Sequence, residues 1–96
     1  MTVTWTETAT AQLEALRDYL ARTPGYSLAV IRRVIERTEG LTGQPFAGAE
    51  VPEYADPAIR EVFEHPYRIV YRVNGSDAEV VAVIHSSRRL PRTPPT

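Results

Sequence analysis

Between Ile59 and Leu90 the chain reads IREVFEHPYRIVYRVNGSDAEVVAVIHSSRRL, three short runs rich in valine, isoleucine, tyrosine and phenylalanine. Branched and aromatic side chains pack well on a pleated, half-buried surface, so each run is expected to be a strand. His65-Pro66 separates the first two runs, and Asn74-Gly75-Ser76-Asp77 separates the last two. Asn-Gly between apolar runs is a strong hairpin signal, and the stretch therefore predicts a three-stranded antiparallel meander. From residue 60 onward the chain also holds six of its eleven arginines and both of its histidines. Chemistry or recognition is expected to reside there.

A chain of 96 residues forms one modest core. We place a single domain over residues 1–90 and a flexible C-terminal tail over 91–96, where PRTPPT supports neither helix nor sheet. No apolar run reaches the roughly twenty residues of a membrane span, and no signal-peptide pattern opens the chain, so a cytoplasmic location is expected. Without cysteine there is no disulfide framework or thiolate chemistry. Two histidines lacking metal-ligand spacing make a metal site unexpected, and no cofactor motif is present. Every basic residue is arginine, suited to planar contacts with carboxylate or phosphate, although a guanine–cytosine-rich genome yields the same bias. Residues 1–59 carry five arginines against eight acids, and residues 60–96 carry six against four. Such balance lacks the strongly basic face of a phosphate-gripping protein, and no direct sequence-specific DNA binding is expected.

Ahead of the meander, Val3–Trp5 can form a short strand, with Thr6 as N-cap of a helix from Glu7 to about Arg22. Ala9, Leu13, Leu16 and Leu20 fall at helical spacing, and Thr23-Pro24-Gly25 stops the helix. Ser27 is the N-cap candidate of a second helix, with Leu28, Ile31, Ile35 and Thr38 as its stripe, Val30 and Val34 beside them, and Gly40 at its C-terminus. The short connection predicts an antiparallel helix hairpin. Arg32, Arg33, Glu36, Arg37 and Glu39 form its solvated side. Residues 41–58 are an irregular link rich in glycine and proline, which Phe46, Val51 and Tyr54 are placed to pin down. The expected fold is α+β, a helix hairpin packed on a small, mainly antiparallel sheet.

Strict alternation along strands 59–64, 67–73 and 78–86 puts Val62, Tyr67, Ile69, Tyr71, Val73, Val80, Ala82 and Ile84 under the helices. The other face then carries Glu61, Phe63, Arg68, Val70, Arg72, Glu79, Val81, Val83 and His85, alternating charge with hydrophobe as an open or partner-covered surface does. Register is the sensitive step, since a slip of one residue exchanges a strand's faces. Proline in the His65-Pro66 turn calls for a cis peptide or a wider loop.

A helix hairpin, an irregular link, then IREVFEHPYRIVYRV, a polar turn and EVVAVIHSSRRLP resembles the RelE/ParE superfamily, the toxic halves of type II toxin–antitoxin modules. Tyr67-Arg68-Ile69-Val70-Tyr71 and Val83-Ile84-His85-Ser86-Ser87-Arg88 carry the resemblance most specifically. It implies a cognate antitoxin as partner and a part in plasmid stabilisation. The RelE-like branch implies ribosome-dependent cleavage of mRNA, with Arg68 at the position that holds the scissile phosphate and His85 or Arg88 assisting. The ParE-like branch implies inhibition of DNA gyrase without catalysis, and a third alternative is an inactive relative that acts only in antitoxin binding and autoregulation of the shared operon. The closing residues, RLPRTPPT, lack the tyrosine or histidine that several ribonuclease members carry near their ends, and the net charge of −1 suits ribosome binding poorly. Both facts favour the ParE-like branch.

Under that resemblance Glu61, Phe63, Arg68, Arg72, Arg88 and Arg89 are the candidates for contact with target or antitoxin. Arg68 and Arg72, and His85 among the catalytic candidates, also have plainer roles. Arg68 can pair with Glu61 or Glu79 across the sheet, and Arg72 with Glu79. A histidine such as His85 is a residue type suited to acid–base work, but at a strand end beside Ser86 and Ser87 it can equally bond the backbone.

Overall fold

The computed structural model describes residues 2–23, 25 and 28–96. Strand β1 (Val3–Trp5) leads into helices α1 (Glu7–Arg22) and α2 (Ala29–Glu39), then strands β2 (Ala49–Glu50), β3 (Ile59–Glu64), β4 (Tyr67–Asn74) and β5 (Asp77–His85). The strands form one mixed sheet in the order β1-β5-β4-β3-β2. The pairings β2–β3, β3–β4 and β4–β5 are antiparallel, whereas β1 lies parallel to β5. The two helices pack on this sheet, as the chain's patterning predicts.

Local signals account for the boundaries. The Thr6 hydroxyl accepts the Ala9 N–H at 3.1 Å, closing the first turn of α1, and Glu7 sits at the positive end of its dipole. Thr23 ends α1, its N–H returning to the Leu20 carbonyl. Pro24, expected to break the helix, and Ser27, expected to cap α2, lie outside the described residues; Leu28 stands at the N-cap of α2 without a side-chain capping bond. Gly40 is the C-cap. His65-Pro66 is a cis peptide, and strand pairing resumes directly beyond it at Glu64 and Tyr67. Gly75 turns the next hairpin at φ 62°, a left-handed conformation that glycine adopts without steric penalty.

Beneath the helices lies a core of Ala9, Val34, Ile69, Tyr71, Val73, Val80 and Val83, flanked by Trp5, Leu13, Leu16, Val30 and Val62. The inward stripe of α2 is Val30–Val34–Thr38, spaced by four residues, with Val34 and Thr38 buried and Val30 half-buried. Leu28 and Ile35, expected to point inward, are instead 51% and 37% exposed.

Strict alternation fails at one place in the sheet. Val70 stands opposite Ala82 but Tyr71 opposite Val80, so Val81 is an extra residue, a β-bulge. Beyond it the faces of β5 exchange. Ala82 and Ile84, expected under the helices, join Val51, Tyr54, Ile59, Val70, Val81 and Leu90 in a second core on the far face. Val83 and His85, expected on the far face, turn toward the helix side, where Val83 packs in the first core and His85 meets Tyr67.

The far face is not open. The link folds back along it, pairing Ala49–Glu50 with β3, a strand that periodicity did not announce, and burying Val51 and Tyr54. The Tyr54 hydroxyl donates to the Pro91 carbonyl at 2.7 Å, which holds the start of the C-terminal tail against the link. Phe46 does not pin the link by burial, being 54% exposed beneath the Arg60 guanidinium at 4.8 Å.

Candidate interaction surface

Arg68 and Glu61 are both buried on the far face, 8% and 6% exposed. Phe63 stands opposite Arg68 across β3 and β4, so Glu61 occupies the diagonal position. Arg68 Nε donates to Glu61 Oε1 at 2.7 Å, while Nη1 and Nη2 reach Glu53 Oε2 and Oε1 at 2.7 and 2.9 Å. The planar fork is therefore engaged by two carboxylates, one of them bidentately. The Arg68 hydrogen bonds hold the Glu53 carboxyl below the usual carboxylate range. Hydrogen bonding to Glu53 strengthens the hold of Arg68 on its proton despite burial. One guanidinium is thus hydrogen-bonded to two carboxyl groups, that of Glu61 buried and that of Glu53 reaching solvent.

The remaining candidates divide between two places. Phe63 is half-buried and stacks on His65 with ring centroids 5.7 Å apart. Arg72 is half-buried and lies opposite exposed Glu79 in the strand register. Both share the far face with the Arg68 cluster. His85, Arg88 and Arg89 are exposed at the other end of the chemistry, where β5 runs into its closing turn. The bulge turns His85 to the helix side, so Arg68 and His85 lie on opposite faces of the sheet and do not form one catalytic constellation.

Around His85 the geometry is specific. Its Nδ1 accepts the Ser87 N–H at 3.1 Å, and the Ser87 hydroxyl lies 2.7 Å from the same nitrogen. Because a backbone N–H can only donate, Nδ1 is the unprotonated nitrogen, and the ring proton of neutral His85 sits on Nε2. Its ring meets Tyr67 edge-on at 5.8 Å. Together with Gln12, Leu16 and Tyr19 of α1 and with Arg88, these residues border an open groove of about 540 Å³ between α1 and the end of β5.

Two residues outside the expected set shape these sites. Glu53 supplies the bidentate partner of Arg68; its only sequence signal was the acidity of the link's second half. Gln12 accepts the Val83 N–H through Oε1 at 2.8 Å. A polar residue three positions after Ala9 and four before Leu16, beside the inward stripe of α1, was the available hint. Among the described residues no cluster of histidine and carboxylate side chains could hold a metal ion, and no helix is long and apolar enough to cross a membrane.

Known proteins place this architecture. Residues 3–90 match the family described as "ParE toxin of type II toxin-antitoxin system, parDE". The chain belongs to the ParE toxin family. A solved structure titled "Chromosomal ParDE TA system from P. aeruginosa" is similar at 25% identity and a TM-score of 0.72, covering 88% of this chain and 95% of that one. Comparison with curated proteins finds no match. Membership makes this a ParE-type toxin of a type II toxin–antitoxin system, and the likeness extends over both helices and the sheet that carries the Arg68 cluster.

Proposed function

We propose that this ParE-family toxin acts in the cytoplasm by inhibiting DNA gyrase, without catalysis of its own, and that a cognate antitoxin neutralises it. The observation that carries the choice between branches is the state of Arg68. A ribonuclease would need that guanidinium to meet a phosphate as charge builds on it. Here its donors already hold Glu53 and Glu61, and Glu61 is itself buried, so a phosphate would have to displace carboxylates within a largely buried site. His85, the remaining acid–base candidate, lies across the sheet from it. The choice of gyrase as target rests on the family resemblance. Exposed Arg88 and Arg89, with half-buried Phe63 and Arg72, are the proposed contacts for target or antitoxin.

Induction of the chain in growing cells, with parallel assays of transcript integrity and of supercoiling by purified gyrase, tests this. We expect gyrase inhibition and DNA breaks while transcripts stay whole. Codon-dependent transcript cleavage without DNA damage would overturn it. Lost toxicity in an Arg68→Ala variant would not by itself indicate catalysis, because the same change breaks a buried ion cluster.

A further inference from the structure

Helix α2 carries two apolar stripes. Val30, Val34 and Thr38 face the sheet. Beside them Leu28, Ile31 and Ile35 follow one another at three and four residues, the spacing of a two-helix seam. This second stripe is left uncovered: Leu28 and Ile35 are 51% and 37% exposed, and Ile31 is half-buried. The three side chains floor an open groove on the outer surface of the helix layer, with Arg17 of α1 on one rim and Arg32, Glu36 and Glu39 on the other. A surface helix needs one apolar face to cover a core, and a second one marks a contact with another molecule.

The charges on the rims decide which molecule fits. Two arginines stand against two glutamates, so a strongly acidic or strongly basic partner gains no net attraction here. A second copy of the chain does gain, because a two-fold axis makes each complementary contact twice. Consider two α2 helices lying antiparallel across such an axis, with Ile31 against Ile35 of the second copy. Arg32 then comes within about 3 Å, along the helix axis, of the level of Glu36 of the second copy. Leu28 lies beside the methylenes of its Glu39. These charges are free to pair anew: within one chain Arg32 and Glu36 approach only to 3.9 Å, with side chains 75% and 63% exposed, and so contribute little to the fold. A net charge of −1 also leaves little repulsion between copies.

We propose that the chain self-associates through the outer stripe of α2, as an antiparallel two-fold dimer held by Ile31–Ile35 contacts and by reciprocal Arg32–Glu36 pairs. One 11-residue helix from each copy offers less than the roughly 800 Å² per partner of a standard interface, so the dimer is weak, with a dissociation constant on the order of 10 μM. The far face of the sheet, on the other side of the molecule from this helix surface, stays outward in both copies. Self-association of this kind does not depend on the target proposed above.

Sedimentation equilibrium of the purified full chain, from about 1 μM to about 1 mM, is the test. The parent should pass from monomer to dimer across that range. Ile35→Glu, at an exposed position, should weaken association about tenfold or more while the urea midpoint is kept. Arg32→Glu and Glu36→Arg should each weaken it about tenfold, because each sets like charges against one another at both contacts. Mixed in equal amounts, those two variants should form a heterodimer about as tight as the parent dimer, since opposite charges then meet at both contacts. Rescue between two different chains cannot arise from the fold of either one. A parent that stays monomeric throughout overturns the proposal. So does a dimer that Ile35→Glu leaves intact, or a mixture that associates no better than its components. A monomeric parent whose binding to the antitoxin is weakened by the same variants gives this groove to the antitoxin and overturns self-association as well.

Discussion

The two faces of the sheet are closed by different physics. Beneath the helices the cover is apolar and periodic: Ala9, Leu13 and Leu16 of α1 and Val30 and Val34 of α2 rest on Ile69, Tyr71, Val73 and Val80. Across the sheet the cover is a loop, and a loop brings backbone polar groups and charges with it. That side combines a smaller apolar cluster around Val70 and Val81 with the Arg68–Glu61–Glu53 unit and a tyrosine bonded to the tail. The helix side tolerates approximate packing because dispersion and burial are not directional. The loop side depends on particular hydrogen bonds, since each buried polar atom there needs its partner. Among the described residues none of the buried side-chain nitrogens or oxygens lacks one.

The sharpest way to break this contrast is at Arg68. Arg68→Ala leaves Glu61, 6% exposed, facing an apolar sheet without its cation. We expect a loss of about 3–5 kcal/mol in urea unfolding. Replacing both members by apolar residues, Arg68→Met with Glu61→Leu, should recover most of that loss, because the buried charge and its counter-charge leave together. A double variant as unstable as the single one would show that the cluster contributes more than mutual compensation.

On the helix side the effect should follow burial alone. Val34 is fully buried and Ile35, its neighbour on α2, is 37% exposed. Val34→Ala should cost about 2 kcal/mol and Ile35→Ala no more than about 0.5 kcal/mol, measured the same way. Equal losses would mean that α2 sits rotated from the position described.

That pair of residues also marks how far the sequence could be read. The order of elements, the Thr6 cap and the hairpin at Gly75 followed from local chemistry, because each depends on neighbours within a few residues. The inward stripe of α2 followed only in part, since Thr38 and Val34 are buried but Leu28 and Ile35 are not. Leu28, Ile31 and Ile35 are as apolar as Val30 and Val34, and only the position of the sheet decides between two overlapping stripes. The bulge at Val81 was hidden for a similar reason: AEVVAVIH is apolar at nearly every position, so an extra residue leaves no break in alternation. Missing it placed His85 on the wrong face. Arg68 pairing with Glu61 was within reach from the register, but Glu53 was not, since no periodicity governs where a loop returns.

A smaller perturbation probes the loop cover through its closest approach. A Cβ at Gly48 would lie 2.6 Å from both the Glu61 carbonyl and the Tyr71 hydroxyl. That hydroxyl donates to the Pro45 carbonyl at 2.7 Å and accepts the Gly48 N–H at 2.9 Å, so a displaced loop disturbs both bonds. Gly48→Ala should therefore destabilise by about 1–2 kcal/mol, readable as a lowered urea midpoint. An unchanged midpoint would show that this part of the link can move away from the Tyr71 hydroxyl without loss, and that the hydrogen bonds at this edge of the sheet contribute little.

The smallest expected effect is the acid dependence that Glu53 lends the same cover. Its carboxyl is held below the ordinary range because Arg68 hydrogen-bonds the charged form. A depressed folded-state pKa means that the carboxylate stabilises the fold above its unfolded pKa of about 4.3, and that this contribution fades as pH falls through the lower folded value. The Glu53 side chain is 40% exposed, so solvent screens the pair and the contribution should stay below about 1 kcal/mol. Asp77, depressed by the Thr2 N–H, adds its own acid limb. Unfolding free energies for the parent and for Glu53→Gln between pH 7 and pH 3 separate the two. The variant should be slightly less stable at neutrality and should decline less steeply below about pH 4.3, converging on the parent in acid. Parallel curves would mean that Glu53 only rests against Arg68, with Glu61 alone compensating the buried cation, and that the loop side is closed by its apolar cluster after all.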